Sequence, residues 1–227
     1  MNHIPDHSYS PYSKQKSSCL IQGQSGTLYP GVRIENIAFP LSISALQAAI
    51  CSCLANGDRP VSIAASGAPS ELTDHWISLF ELSEVDAFPD DAPLFNPFIE
   101  INRSVFDRLN DELARAVTPH SNFPVAALLE TEKGIVAGAN VEVEAWALGL
   151  CAERVALSRA VSAGCTEFKK IYVYAPKGDI SSPCGACRQV LAEWMPEQMA
   201  ELHHGDGTHS THLVSELLPF AFRTASL

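Results

Sequence analysis

The chain has 227 residues, enough for one large domain or two small ones with a buried core, and its 15 Lys and Arg against 26 Asp and Glu give a net charge of −11. That balance argues against a nucleic-acid polyanion as the substrate, because gripping phosphates depends on Lys and Arg. No uncharged apolar run reaches membrane-spanning length (Leu41 to Leu54 comes nearest and holds Ser and Gln) and no basic-then-apolar leader opens the chain, so a cytoplasmic protein without membrane or nucleic-acid partners is expected.

In chain order, the first half carries Ser10-Pro11-Tyr12-Ser13, then Gly31-Val32-Arg33-Ile34-Glu35-Asn36, then Ser44-Ala45-Leu46. Cys51 and Cys53 are two apart on a predicted helix, so they point away from each other and make a poor chelating pair. With Cys19 and Cys165 they are expected to act as small buried hydrophobes in a reducing compartment. Pro69 to Trp76 follows without a cysteine, and its Asp74 and His75 read as solvated or helix-starting residues rather than ligands. Asp86 to Pro97, with three prolines among acidic and amide residues, reads as a linker.

Beyond the linker, Ile101, Val105, Leu109, Leu113 and Val117 recur every four residues, which predicts an amphipathic helix ending near Thr118-Pro119. Phe123 to Leu129 is a short apolar stretch expected as a buried strand. Glu132-Lys133-Gly134 then turns the chain into a second strand, Ile135 to Val143. A helix over Leu150 to Ala163 stops at Gly164. Lys170 to Ala175 is a third strand, Pro183 introduces a helix running toward Trp194, and Leu213 to Phe222 closes the unit. Alternating strands and helices give an α/β layered architecture. His203, His204, His209 and His212 are expected in a solvent-facing loop rich in Gly and Asp.

Three cysteines and one carboxylate stand out from this pattern. Cys184 and Cys187 have the two-residue gap that turns both sulfurs toward one ion, and Cys151 lies far enough upstream to return as a third ligand. Alone, the C-x-x-C pair could equally be a redox couple. Three protein ligands leave the fourth tetrahedral position of zinc open for water, the catalytic arrangement. Glu153, two residues past Cys151, faces away from the ligand direction on a helix and can serve a water instead. A water activated by zinc beside a proton-carrying carboxylate is machinery for hydrolysis. Both ligand segments begin helices, whose N–H groups and positive dipole ends favour thiolate. Arg154 and Arg188, each beside a ligand segment, are expected to offset the thiolate charge by donating to sulfur.

Cys151-Ala152-Glu153-Arg154 followed by Pro183-Cys184-Gly185-Ala186-Cys187-Arg188-Gln189 resembles the cytidine deaminase family, in the branch with three cysteine ligands, over about Ser121 to Phe222. The resemblance implies a five-stranded mixed sheet covered by helices, one Zn²⁺ per chain, and attack of water on C4 of cytosine with Glu153 shuttling protons. It implies further that Phe123 stacks on the base, that Asn140 and Glu142 bind the ribose hydroxyls, and that the backbone N–H of Ala152 meets the base carbonyl.

The first half reads as a broken copy of the second. Glu35 maps onto Glu142 at an offset of 107 residues (142 − 35), and the same offset carries Ser44-Ala45-Leu46 onto Cys151-Ala152-Glu153. Ser13 maps onto Ser121 at 108 (121 − 13). A ligand Cys has become Ser44, the catalytic Glu has become Leu46, and Gln15 stands for Phe123. The expected organisation is therefore two three-layer α/β/α units, a degenerate one over residues 1–90 and a catalytic one over 98–227. The family usually follows its ribose Glu with a loop that reaches a neighbouring site. Here the intact copy has Val143-Glu144-Ala145-Trp146, while the broken copy keeps the more familiar Asn36-Ile37-Ala38-Phe39. Phe39 is thus a candidate to line the catalytic pocket, in cis or across a dimer, and Phe222 matches the C-terminal aromatic that closes a neighbour's pocket. Because the family's tetramers pack four similar domains, a homodimer imitating that tetramer is expected. Cytidine, deoxycytidine, a modified nucleoside or an antibiotic all remain open as substrates, as does a catalytically silent zinc-stabilised binding protein.

Overall fold

The computed structural model describes residues 7–66 and 72–222; Pro69, Ser70 and Glu71, where the first copy's counterpart of the C-x-x-C segment would begin, lie outside the described residues. In the first half, strands β1 (Ser18–Gly23) and β2 (Leu28–Val32) form an antiparallel pair, helix α1 (Ala45–Leu54) follows, and β3 (Pro60–Ser66) returns antiparallel to β1. Helix α2 (Thr73–Phe80) leads to a short β4 (Ser83–Glu84) parallel to β3, giving the sheet order β2-β1-β3-β4. Asp74 and His75 are exposed on α2, as their sequence suggested.

The second half begins with β5 (Phe98–Ile99) and α3 (Val105–Glu112). It then repeats the first: β6 (Ala126–Thr131), β7 (Ile135–Ala139), α4 (Ala152–Ser162), β8 (Phe168–Tyr174), α5 (Gly185–Trp194) and β9 (Met199–His203). Strand β10 (His209–Leu213) and the single turn of α6 (Val214–Leu217) complete it, in the sheet order β10-β9-β8-β6-β7-β5. The sheet has six strands rather than five because the residues just past the linker add β5 along β7.

The repeat extends to the register. Ser18 pairs with Val32 and Ser66, as Ala126 pairs with Ala139 and Tyr174, and each central strand shifts register at the equivalent step, Gln22/Gly23 and Glu130/Thr131. Isolated bridges Tyr9–Ile34 and Ile34–Ile43 recur as Val117–Val141 and Val141–Leu150. Gly31 and Gly138 let β2 and β7 approach their helices: a Cβ would sit 2.1 Å from the Ala45 carbonyl oxygen in one copy and 2.3 Å from that of Ala152 in the other. Only a residue without a side chain fits there.

The central strands are continuous apolar runs, Cys19-Leu20-Ile21 and Ala126 to Leu129, as strands covered on both faces require. Helices α1 and α4 are buried nearly all round, α4 over its full length, and pack between the two sheets. One core cluster therefore spans both copies, from Ile21 and Ile50 to Leu157 and Ile171. Arg159 of α4 ties them together: its Nε donates to the Ser52 hydroxyl, Nη2 to the Ser52 carbonyl and Nη1 to the Ala137 carbonyl. The outer face of the second sheet is covered by Leu109 and Val105 of α3, whereas that of the first is covered by Phe88 and Ala92 of the linker. The third layer is helical in the second copy only. The linker is also bound in place, with Leu94 bridging to Leu28 and Phe95 N–H donating to the Leu28 carbonyl at 2.8 Å.

Three local expectations are corrected. The helix expected to reach Thr118 ends at Glu112, followed by one 3-10 turn over Leu113–Arg115, because Val117 is drawn into its bridge with Val141. The strand after Gly134 ends at Ala139, since Asn140 and Glu142 turn out of the sheet to bond backbone elsewhere. The histidine segment is a hairpin of β9 and β10 rather than a loop; His203 is buried near Phe106, and His204 Nδ1 accepts the Ser181 N–H at 3.2 Å.

Candidate metal centre

Cys151 and Cys184 occupy the N-cap positions of α4 and α5, with extended backbone (φ −66°, ψ 159° and φ −65°, ψ 167°), and neither side chain caps its own helix. Cys187 lies one turn into α5. This geometry follows from the sequence, since a residue at the cap and one three later share a side at the helix entrance. The three Sγ atoms lie within 4.8 Å of one another, with Cys151 and Cys184 3.6 Å apart and every cysteine reduced. Cys187 is fully buried, Cys151 half-buried and Cys184 exposed, so the cluster opens on one side.

The thiols share their charge unequally. Hydrogen bonds from Cys151 and Cys187, helped by the backbone N–H groups of Cys187 and Ala186, push Cys184 down to about 2 against the effect of burial. Its hydrogen bond to Cys184, together with burial and the nearby Glu153, pushes Cys151 up to about 12. Bonding to Cys151 and Cys184 likewise raises Cys187. A thiolate already stabilised by helix N–H groups, with two more sulfurs converging on it, suits a soft divalent cation such as Zn²⁺. Among the described residues no fourth His, Cys, Asp or Glu joins the cluster. The donor set thus fits zinc with one coordination position free of protein.

Glu153, in the first turn of α4, is 3% exposed. Burial pushes its carboxyl up to about 7; its own backbone N–H opposes the shift, the charge on Cys184 adds to it, and a hydrogen bond with the Cys187 thiol lowers it again. A carboxyl so placed exchanges protons near neutral pH. Ala152 is fully buried in the same turn, where helix N–H groups lack intrahelical partners.

Beside the sulfurs a cavity of about 400 Å³ brings Asn140, Glu142 and Cys151 together with His120, Val143 and Trp146. Asn140 pins the irregular segment leading into β6: its Oδ1 accepts the Val125 N–H at 2.8 Å and its Nδ2 donates to the Phe123 carbonyl at 3.0 Å. That fixes Phe123, whose ring is 36% exposed. Glu142 accepts the N–H groups of His120 and Ser121, each at 3.0 Å, and the Ser121 hydroxyl. Burial raises its carboxyl, but these hydrogen bonds outweigh it and hold the group below the usual range.

The remaining candidates lie elsewhere. Phe39, 78% exposed, borders a separate cavity of about 460 Å³ in the first copy, around Ser44 and Leu46. Phe222 is held by Gln189, whose Oε1 accepts its N–H and whose Nε2 donates to its carbonyl, leaving the ring 62% exposed. Both arginine expectations are corrected. Arg154 Nη2 donates to the Leu41 carbonyl of the first copy at 2.9 Å. Arg188 donates to the carbonyls of Pro183 and Leu217 and to the Ser182 hydroxyl, tying down the approach to Cys184. In both, the hydrogen bonds go to backbone carbonyls and a hydroxyl instead of sulfur. Sequence reasoning missed His120 and Trp146 as cavity walls and Gln189 as the anchor of Phe222; the only signal was their place within or beside the motifs.

Two regions of the chain, residues 100–200 and residues 3–66, each match a family model described as the cytidine and deoxycytidylate deaminase zinc-binding region. A cytidine deaminase of Sporosarcina psychrophila is 44% identical over 118 residues, which span 50% of this chain and 85% of that protein. One from Shewanella loihica is 37% identical over 117 residues, 50% of this chain and 37% of the relative. The crystal structure of a cytidine deaminase from Burkholderia pseudomallei is 38% identical, with a TM-score of 0.49, and the match covers 51% of this chain and 94% of that one.

Proposed function

This chain belongs to the cytidine deaminase family of zinc-dependent enzymes, and on that premise we propose that it hydrolyses cytidine, deoxycytidine or both to the uracil nucleoside and ammonia, as a step of pyrimidine salvage. The observation that carries the reading is the three-sulfur cluster with Glu153 buried at its side. Cys151, Cys184 and Cys187 would hold a single Zn²⁺, which when bound lowers the pKa of a water toward neutrality. Glu153 takes a proton from the attacking water and gives it to N3 of the cytosine, then takes the remaining proton from the new C4 hydroxyl and passes it to the 4-amino group, which leaves as ammonia. The water oxygen ends as the new carbonyl at C4, so atoms balance.

Phe123 offers a flat apolar face to the base, and the Ala152 N–H meets its 2-carbonyl. Asn140 and Glu142 receive the sugar hydroxyls, which need partners once buried. Arg154 and Arg188 act at one remove, by holding the segments that deliver the ligands. We divide the chain into a non-catalytic copy over 1–90 and a catalytic copy over 98–227. The exposed Phe39, Trp146 and Phe222 support a homodimer in which Phe39 and Phe222 of one chain reach the other's pocket. Reduced cysteines support a cytoplasmic setting. Because Val143 and Trp146 wall the cavity where the family carries a different loop, a modified nucleoside is the second reading.

A substrate panel run with metal analysis tests the proposal. One zinc per chain and ammonia release from cytidine or deoxycytidine are expected. Zinc without turnover of any nucleoside would favour a silent binding protein.

A further inference from the structure

We propose that Glu193 is a positioning residue for the metal centre, the point through which the silent first copy holds the helix that carries Cys184 and Cys187. The inference rests on the reading of those sulfurs as zinc ligands.

Glu193 lies near the far end of α5, six residues beyond Cys187. Among the described residues, the hydrogen-bond donors to its carboxylate all come from the other copy. Oε1 accepts the hydroxyls of Tyr12 at 3.0 Å and Tyr9 at 3.2 Å, and Oε2 accepts the backbone N–H of Ile37 at 2.8 Å. Next to it, Trp194 packs on the Tyr9 ring with centroids 4.3 Å apart, and Phe168 meets the indole edge-on at 5.4 Å. Burial, and then the hydrogen bond to Glu193, push the Tyr12 hydroxyl up to about 12, so it remains a donor across the working range. Hydrogen bonds to an ionised acceptor are the stronger kind.

Helix α5 is a rod roughly 15 Å long held at both ends. At the sulfur end Arg188 ties it to its own copy; at the other end Tyr9, Tyr12 and Ile37 of the first copy hold Glu193. Ligand geometry tolerates only about 0.5 Å or 10–20° of displacement, so loosening one end of the rod, even with Trp194 still packed, shifts the sulfurs at the other. The comparison between copies supports this role. Tyr12 is the counterpart of His120, 108 residues on (120 − 12), and His120 borders the catalytic cavity. In the copy without chemistry, that position has been turned to hold the other copy's helix. A carboxylate is needed because Gln has one acceptor oxygen and cannot receive donors on both sides.

The test is zinc transfer from the full-length protein to a chromophoric chelator, with the visible spectrum of the cobalt-substituted protein as a second readout. Glu193→Ala is expected to release zinc about tenfold faster and to perturb the cobalt bands, in line with changes to groups that orient metal ligands. Glu193→Gln should fall between, and kcat should drop while KM stays near the parent value. Tyr9→Phe with Tyr12→Phe, which removes two hydroxyls and little else, should speed release about threefold. That pair also carries the test should Glu193→Ala fail to fold. Parental release rates and cobalt spectra in these variants, with only the urea midpoint lowered, would overturn the inference and leave the zinc reading intact. A parent protein that holds no zinc would instead sink the zinc reading itself.

Discussion

In the first copy Ser44 caps α1 by accepting the Gln47 N–H at 3.1 Å; in the second, Cys151 holds the same cap without bonding its own helix and turns its sulfur to Cys184. Leu46 packs in the first core where Glu153 keeps a buried carboxyl in the second. Around these exchanges little else moves. Glu35 accepts from Tyr12 N–H, Ser13 N–H and the Ser13 hydroxyl as Glu142 does from His120 and Ser121. Glu35 additionally pairs with Arg33, the counterpart of Asn140, at 2.9 Å. The scaffold is therefore separable from the chemistry. Glycine approach, bridge pattern and a glutamate that gathers backbone N–H groups are shared by both copies, and the differences lie in a handful of side chains at the helix entrances.

The largest effect expected from that contrast is at the exchanged acid. Glu153→Gln should lower kcat by about 10³-fold, roughly 4 kcal/mol of transition-state stabilisation, with zinc content preserved. The converse Leu46→Glu should yield no second zinc and no added turnover, since among the described residues the first copy gathers no trio of metal-ligating side chains; metal analysis of both variants checks the pair. Next in size, Gly31→Ala and Gly138→Ala should each cost about 1–3 kcal/mol by urea unfolding, because each new methyl meets a helix carbonyl. A neutral result in one copy alone would show that the shared scaffold is not equally constrained. The smallest effect is acid sensitivity. Burial raises the Glu35 carboxyl, but hydrogen bonds from Ser13, Tyr12 and Arg33 outweigh it and leave it below the ordinary 4.5, as in Glu142. The unfolded chain then binds more protons than the folded one below pH 4.5, so stability present above that value is lost as pH falls through the depressed range. Glu35→Gln should flatten that slope in pH-dependent unfolding curves.

What could be read from residues alone divides along physical lines. The sulfur trio was legible because metal ligation demands particular atoms at particular helix positions. The repeat was legible because Gly31, Gly138, Glu35 and Glu142 each answer a backbone requirement that few residues meet. Arg154 was not, because a long flexible side chain chooses among acceptors, and the one it bonds, Leu41, is supplied 113 residues away. Glu193 gave no signal for the same reason: at a helix end it looks like any solvated acid, and its partners lie 156 to 184 residues distant. The histidine hairpin was misread because Gly205, Asp206 and Gly207 mark the turn but not the strands on either side.

The pairing of α1 with α4 also bears on how this molecule can change over generations. Gln47 Nε2 donates to the Leu148 carbonyl at 3.0 Å, just ahead of Cys151, and Ser52 receives the Arg159 side chain. A gene trimmed to its second half would lay bare the apolar face of α4 and take from Arg159 both of its bonds to Ser52. The leading half is thereby part of the trailing half's core: its loss would remove an inner wall.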